Sequence, residues 1–304
     1  MSDEKNLKFR FAPSPNGLLH LGHAYSAIKS FEMAKQMGAA FHLRIEDIDG
    51  ARSEDSFKAA ILRDLHWLGL RWQEPVLYQS NNFHAYQRAL DELLDADLLY
   101  PCFATRSEIK KAHGQSNKIE LDPDGAPLYP GIYKTYSKEK AKERIAKGEL
   151  YALRLHMDKA IKRAKEHLNS PNSTLIYQTF DETGERRQVP IHAERWGDVV
   201  IKRKDTPTSY HLAVVVDDHQ LGVTHICRGQ DLEASTDIHT VLQLNLGLSS
   251  PLYHHHDLVL IKGEKLSKSK AHPSIFDLRA KGITTKEIYD AALIGPEALS
   301  KFLP

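Results

Sequence analysis

Two short stretches, far apart in the chain, hold residue types suited to a polyphosphate. The first is His20-Leu21-Gly22-His23. It follows the rigid turn Pro13-Ser14-Pro15-Asn16-Gly17 and opens a helical pattern in which Ala24, Ala27, Ile28, Phe31 and Ala34 share one face before Gly38. A helix start offers free backbone N–H groups and a partial positive charge, both favourable to phosphate. Gly22 lets a flat base or a phosphate approach the backbone closely. Imidazoles three residues apart share a helix face and can donate to phosphoryl oxygens as charge develops. Helix-surface histidines of no chemical role would show the same spacing. The second stretch is Lys265-Leu266-Ser267-Lys268-Ser269, just after Lys262-Gly263. Lysines on flexible stems can follow a leaving pyrophosphate. Taken alone, this stretch reads more readily as a solvated turn. Both together in one α/β chain point to a nucleotide site.

The elements that must hold these residues alternate. Lys8–Ala12 reads as a strand and a helix begins near Leu21. Phe41, Leu43 and Ile45 alternate as a second strand, with Glu46, Asp47 and Asp49 beyond its end. Helices fit Glu54–Leu68 and Asn82–Leu98. Such alternation predicts a parallel sheet. After Tyr100 the pattern breaks into polar loops, strand-like Leu150–Leu155 and Thr174–Phe180, and lysine-rich helical pieces, read as an inserted subdomain over 101–195. Strand signals return at Val199–Ile201, Ala213–Val216 and Val223–Arg228. A helix then fits Asp231–Leu246, strand-like Leu258–Ile261 leads into a turn, and small helices end the chain.

The whole composition sets bounds. The chain has 304 residues, 41% apolar and 27% charged, with 41 basic and 40 acidic side chains. A core of about two domains is expected, and neither whole-chain disorder nor a strongly basic coat fits. Two cysteines, Cys102 and Cys227, cannot build a disulfide framework. No signal peptide or membrane span is visible, so a cytoplasmic protein is expected.

His20–His23 and Lys265–Ser269 resemble the HIGH and KMSKS signatures of class I aminoacyl-tRNA synthetases. Arg10–Gly17, Arg44–Asp49, Tyr78–Ser80, Leu212–His219 and Ile226–Leu232 resemble the glutamyl branch in particular, in order along nearly the whole chain. Only 35 residues follow Ser269. That shortness resembles the glutamyl-queuosine tRNA(Asp) synthetases, the short paralogues without an anticodon-binding domain. The resemblance implies an α/β fold: a Rossmann nucleotide-binding sheet over 1–100 and 196–250, split by the insertion and followed by a helical extension over 251–304. It implies activation of L-glutamate by ATP with Mg²⁺, without tRNA, and transfer to the queuosine base of tRNA(Asp), by a monomer.

The residues fit such a substrate on their own terms. Two carboxylates and an ammonium need cations and an anion in one cleft. Arg10 and Arg228 sit at the carboxyl ends of predicted strands, where open α/β sheets bind ligands. Either guanidinium can grip a carboxylate through two N–H bonds, and a structural salt bridge is an equal rival for each. Glu46 suits an ammonium, and the Tyr210 hydroxyl a carboxylate. The resemblance assigns Arg10, Phe11, Ala12, Pro13, Ser14, Glu46, Tyr210 and Arg228 to glutamate. It assigns His20, Gly22, His23, Lys265 and Lys268 to ATP, with His20, His23 and Lys268 stabilising the reaction. Asp217, Asp218, His219 and Asp231 also follow predicted strand ends. Capping and turn roles are at least as good an account of them, and they stay outside the primary site.

The short paralogues often hold zinc through Cys-x-Cys and Tyr-x-x-x-Cys. Here the stretches are Cys102-Phe103-Ala104 and Tyr129–Tyr133, and 105–128 looks inserted. One thiolate cannot hold tetrahedral zinc, so no zinc and no other protein-bound metal is expected. In a strand, His254, His255 and His256 would alternate faces and could not converge on a metal; hydrogen-bonding or solvated roles suit them. Residues 138–166 hold ten Lys/Arg against five Asp/Glu, which suits tRNA phosphates or a solvated helix equally. Other readings stay open: a truncated glutamyl-tRNA synthetase charging a 3′ end, another nucleotidyltransferase, or an inactive RNA-binding paralogue.

Overall fold

The structure, a computed structural model, describes residues 6–114, 119–168, 174–266 and 272–303. The first third holds β1 (Lys8–Phe11), α1 (Leu21–Gln36), β2 (Ala40–Ile45), α2 (Asp55–Trp67), β3 (Gln73–Tyr78), α3 (Phe83–Asp95) and β4 (Leu99–Cys102). The strands and helices expected from the sequence are all among these, and β3 and β4 are two further strands that the sequence patterns do not predict. Then come α4 (Arg106–Gly114), α5 (Lys138–Ala146), β5 (Ala152–Leu155), α6 (Met157–His167), β6 (Ile176–Phe180), β7 (Arg186–Pro190) and β8 (Val200–Lys202). The remainder is α7 (Tyr210–Leu221), β9 (His225–Gly229), α8 (Thr236–Asn245), β10 (Leu252–His256), β11 (Leu260–Ile261), β12 (Glu264–Lys265), α9 (Ile275–Ala280), α10 (Thr285–Ile294) and α11 (Pro296–Leu299).

β1, β2 and β3 form one parallel sheet in that order, and β6, β10 and β9 run parallel in a second that β7 extends antiparallel. The two sheets meet where β9 lies beside β1: Thr224 N–H donates to Lys8 O at 3.0 Å and Lys8 N–H to Thr224 Oγ1 at 2.9 Å. The loops after β1, β2 and β9 thus gather in one place, the usual ligand position of an open α/β sheet. β4, β5 and β8 form a separate antiparallel sheet. β6 and β7 fall within residues 101–195; β6 pairs with β10, and β7 pairs with β6.

Ala213–Val216 is not a strand. Tyr210–Leu221 is a helix. Leu212 through Asp218 are all buried along it, so it has no polar face to create a helical period. A continuous apolar run rich in β-branched residues looks the same in a buried strand and in a buried helix. β3, β4, β7 and β10 carry Pro, Arg or His within short spans, which hides their alternation. The helix expected from Asp231 starts only at Thr236, after a 3₁₀ turn over Gln230–Leu232. No helix among the described residues is long and apolar enough to cross a membrane.

Candidate active site

A cleft of about 590 Å³ opens at the junction of the two sheets. Its wall includes Arg10, Phe11, Ala12, Pro13 and Ser14 from the end of β1, His20, Gly22 and His23 from the start of α1, and Glu46 after β2. Tyr210 at the head of α7, Arg228 near the end of β9, and Lys265 complete it. Every described residue that the resemblance assigns to glutamate or ATP lines this cleft. Lys268 lies outside the described residues.

The histidine turn is built as a helix cap. His20 is the N-cap of α1, and its Nδ1 accepts from Gly22 N–H at 3.1 Å. His23 Nδ1 accepts in turn from His20 N–H at 3.2 Å. With both Nδ1 lone pairs occupied, a ring proton belongs on Nε2, and the rings lie 3.8 Å apart by centroid. Gly22 is tight against this arrangement: a Cβ there would lie 3.1 Å from the His20 ring. The first turn of α1 carries no acid, so nothing on it opposes an anion at its N–H groups.

The lysine segment is tied to that same turn. Leu266 is buried and lines the cleft. Past the undescribed stretch, Ser274 bridges His20, and Ile275 N–H donates to Leu19 O at 2.7 Å. Lys265 pairs with Asp231 across the cleft.

An acid–base lattice sets the opposite wall. Arg10 donates from Nε and Nη2 to the two oxygens of Asp218 at 3.0 and 3.2 Å. Arg44, wholly buried, donates to Asp218 at 2.6 Å and to Glu46 at 2.9 Å. Burial alone would raise the Asp218 carboxyl, but the two guanidiniums outweigh it and hold the group below its ordinary value. Burial pushes Glu46 up, against the pull of Arg44 and Arg10. Arg44 thus fixes Glu46 at the cleft edge, where Ser14 Oγ donates to it at 3.5 Å and Glu46 N–H donates to Pro13 O at 3.0 Å. Asp217, next along α7, accepts from Gln79, Asn82 and Tyr86 and lies 3.8 Å from Arg44 Nε.

Arg228 has a different setting. It is 4% exposed, and among the described residues no carboxylate pairs with it. Its partners are His255, His239 and Thr236, with the Tyr253 ring 5.1 Å from the guanidinium carbon. Such a buried cation is suited to an incoming anion.

From the sequence, Arg44, Thr236 and His239 have no role of their own, Asp218 stays outside the primary site, and His255 has only a hydrogen-bonding or solvated role; all five support the cleft's arginines or Glu46. Acids inside the apolar run of α7 were the available signal for Asp218, since a buried carboxylate needs a cation. His255 and His256 take separate hydrogen bonds, to Arg228 and to the Asp257 carbonyl. His254 bonds the Phe180 carbonyl. At the cysteine position considered for zinc, the Cys102 thiol donates to the Tyr129 hydroxyl at 3.3 Å, and among the described residues no group of His, Cys, Asp and Glu could hold a metal ion.

Residues 6–288 match the family of class I tRNA synthetases (E and Q), catalytic domain. A glutamyl-Q tRNA(Asp) synthetase of Rhodobacter capsulatus is 40% identical over 281 residues, covering 92% of this chain and 97% of the relative. A glutamate–tRNA ligase of Coprothermobacter proteolyticus is 33% identical across all of this chain, which spans 59% of the ligase. The solved glutamate-tRNA synthetase of Elizabethkingia anophelis superposes with a TM-score of 0.69 at 25% identity, covering 87% of this chain and 53% of that one.

Proposed function

Because the chain belongs to the glutamyl and glutaminyl class I tRNA synthetases, ligase-type enzymes of α/β fold, we propose that it activates L-glutamate with ATP in the absence of tRNA. We further propose that it passes the glutamyl group to queuosine in the anticodon of tRNA(Asp). The observation that carries the amino-acid part is Arg228: a buried guanidinium with no acid against it among the described residues, in the same cleft as Glu46 and the histidine-capped helix start. The acceptor reading is supported by the higher identity to a glutamyl-Q relative, 40%, than to a glutamate–tRNA ligase, 33%.

In this reading the phosphates of ATP lie on the first turn of α1, and Mg²⁺ comes with the nucleotide. The Nε2–H groups of His20 and His23 donate to the α-phosphate as it gains charge. A side-chain or main-chain carboxylate of glutamate is gripped by Arg228, with Arg10 and the Tyr210 hydroxyl beside it. Glu46 receives the ammonium. A free α-carboxylate oxygen then attacks the α-phosphorus; the bond from that phosphorus to the bridging oxygen breaks, and pyrophosphate leaves as glutamyl-adenylate forms. Lys265 and Lys268 follow the departing charge. The protein does no covalent work, and positioning with charge stabilisation supplies the rate. A hydroxyl of the modified base attacks the acyl carbon and AMP leaves. Organisation as a nucleotide-binding sheet with an acceptor-side insertion, acting as a monomer, belongs to the same reading.

ATP–pyrophosphate exchange across the twenty amino acids, without tRNA, tests the first step. Glutamate alone should support exchange. Transfer of labelled glutamate to tRNA(Asp) with queuosine, and not to unmodified tRNA(Glu), tests the second; charging of a 3′ end would favour the truncated-ligase reading instead.

A further inference from the structure

We propose that His239, His255 and Thr236 form a shell of uncharged acceptors that aims Arg228 while leaving its positive charge for a substrate carboxylate. His239 and His255 are then positioning residues for substrate affinity. The inference rests on the reading that Arg228 holds a carboxylate of the amino acid.

A guanidinium has five N–H donors. Arg228 directs Nε to His255 Nε2 at 3.3 Å, Nη1 to His239 Nδ1 at 3.3 Å, and Nη2 to Thr236 Oγ1 at 2.7 Å. Among the described residues these bonds leave one N–H on each terminal nitrogen for a carboxylate to meet. Carboxylates in place of these acceptors would orient the fork equally well but would cancel its charge, as Asp218 does for Arg10.

The histidines are themselves fixed. An acceptor Nδ1 on His239 leaves its proton on Nε2, which lies 3.4 Å from His211 Nδ1. An acceptor Nε2 on His255 leaves its proton on Nδ1, and Thr236 Oγ1 lies 3.3 Å from the same Nε2. His239 is 1% exposed and Thr236 fully buried. Burial, and next the charge of Arg228, hold His255 down to about 2, His211 to about 4, and His239 well below the ordinary imidazole value. His239 and His255 thereby stay uncharged, as acceptors to a cation must. A buried charge without a counter-ion is unfavourable to folding, and a ligand that completes it restores the balance.

The test is glutamate-dependent pyrophosphate exchange by the full chain, with KM for glutamate, KM for ATP and kcat measured separately. H239N and H255Q keep a neutral acceptor close to the native nitrogen. H239D and H255E put a carboxylate there. We expect the acidic variants to raise KM for glutamate on the order of tenfold to a hundredfold, with KM for ATP and kcat within about threefold of the parent. The neutral variants should hold KM for glutamate within about threefold. Circular dichroism identifies variants that fold, and either acidic variant decides the matter if the other does not fold. A folded acidic variant with the parent's KM for glutamate overturns the proposal, as do neutral variants as impaired as the acidic ones. Failure of the parent itself to exchange with glutamate overturns the functional reading first, and this inference with it.

Discussion

Arg10 and Arg228 line one cleft, but among the described residues only Arg10 has an acid against it. Asp218 takes its Nε and Nη2 at 3.0 and 3.2 Å, whereas Arg228 meets imidazole nitrogens and a hydroxyl. One guanidinium is matched by a carboxylate; the other is held by uncharged acceptors.

Replacing Arg228 by methionine should therefore separate affinity from stability. KM for glutamate should rise at least about a hundredfold, because a charge-assisted two-point grip is lost. The melting temperature should stay level or rise, since the side chain removed is a buried cation without an acid partner among the described residues. A melting temperature that drops sharply would show that Arg228 is structural.

Asp218→Asn should do the reverse. The change leaves Arg10 and Arg44 without their shared anion, at a cost of about 3 kcal/mol or more in urea unfolding. The pH dependence has a definite sign. Asp218 is held below its ordinary value in the folded protein, so the unfolded chain binds its proton first on acidification. Its contribution is fully present above the ordinary carboxylate range and is lost as pH falls through the folded value. The variant should thus show a shallower acid limb than the parent.

The histidines around Arg228 predict a second acid effect. His211 at about 4 and His255 at about 2 stay neutral where an unfolded chain binds protons, below about pH 6.5. Stability then rises with pH across that window and falls on acidification, by up to about 1.4 kcal/mol per pH unit for each ring. H255Q should flatten the slope by about one such step. Urea midpoints at about pH 6.5 and about pH 4.5 measure it, and equal slopes in parent and variant would show that His255 is not held neutral.

The cleft was legible in the sequence because its residues cluster at strand ends and turns. Arg10, Glu46, His20, His23 and Lys265 stand in local contexts whose geometry follows from a few neighbours, and all line the cleft. The support behind them was not legible. Asp218 lies 208 residues from Arg10 and 174 from Arg44, and its place depends on α7 being a helix. An apolar run buried on all sides carries no period to announce that. His239 and His255 reach Arg228 from separate elements, α8 and β10, which only the folded sheet brings together.

Gly229 offers a test of the junction between the two halves of the cleft. Its φ is −62°, an ordinary value for any residue, so space and not backbone conformation reserves the position for glycine. A Cβ there would lie 2.4 Å from Asp231 Oδ1 and 2.9 Å from Leu258 Cδ2. Gly229→Ala must therefore move the Asp231 side chain, and Asp231 is the partner of Lys265. Displacing a phosphate-side lysine by a fraction of its reach should raise KM for ATP about tenfold. Asp231→Asn removes the same ion pair without adding bulk. If the ion pair is what holds Lys265 at the cleft, both variants should raise KM for ATP; if crowding alone matters, only the alanine variant will. Unchanged KM for ATP in both would mean that Lys265 does not meet the nucleotide from this position.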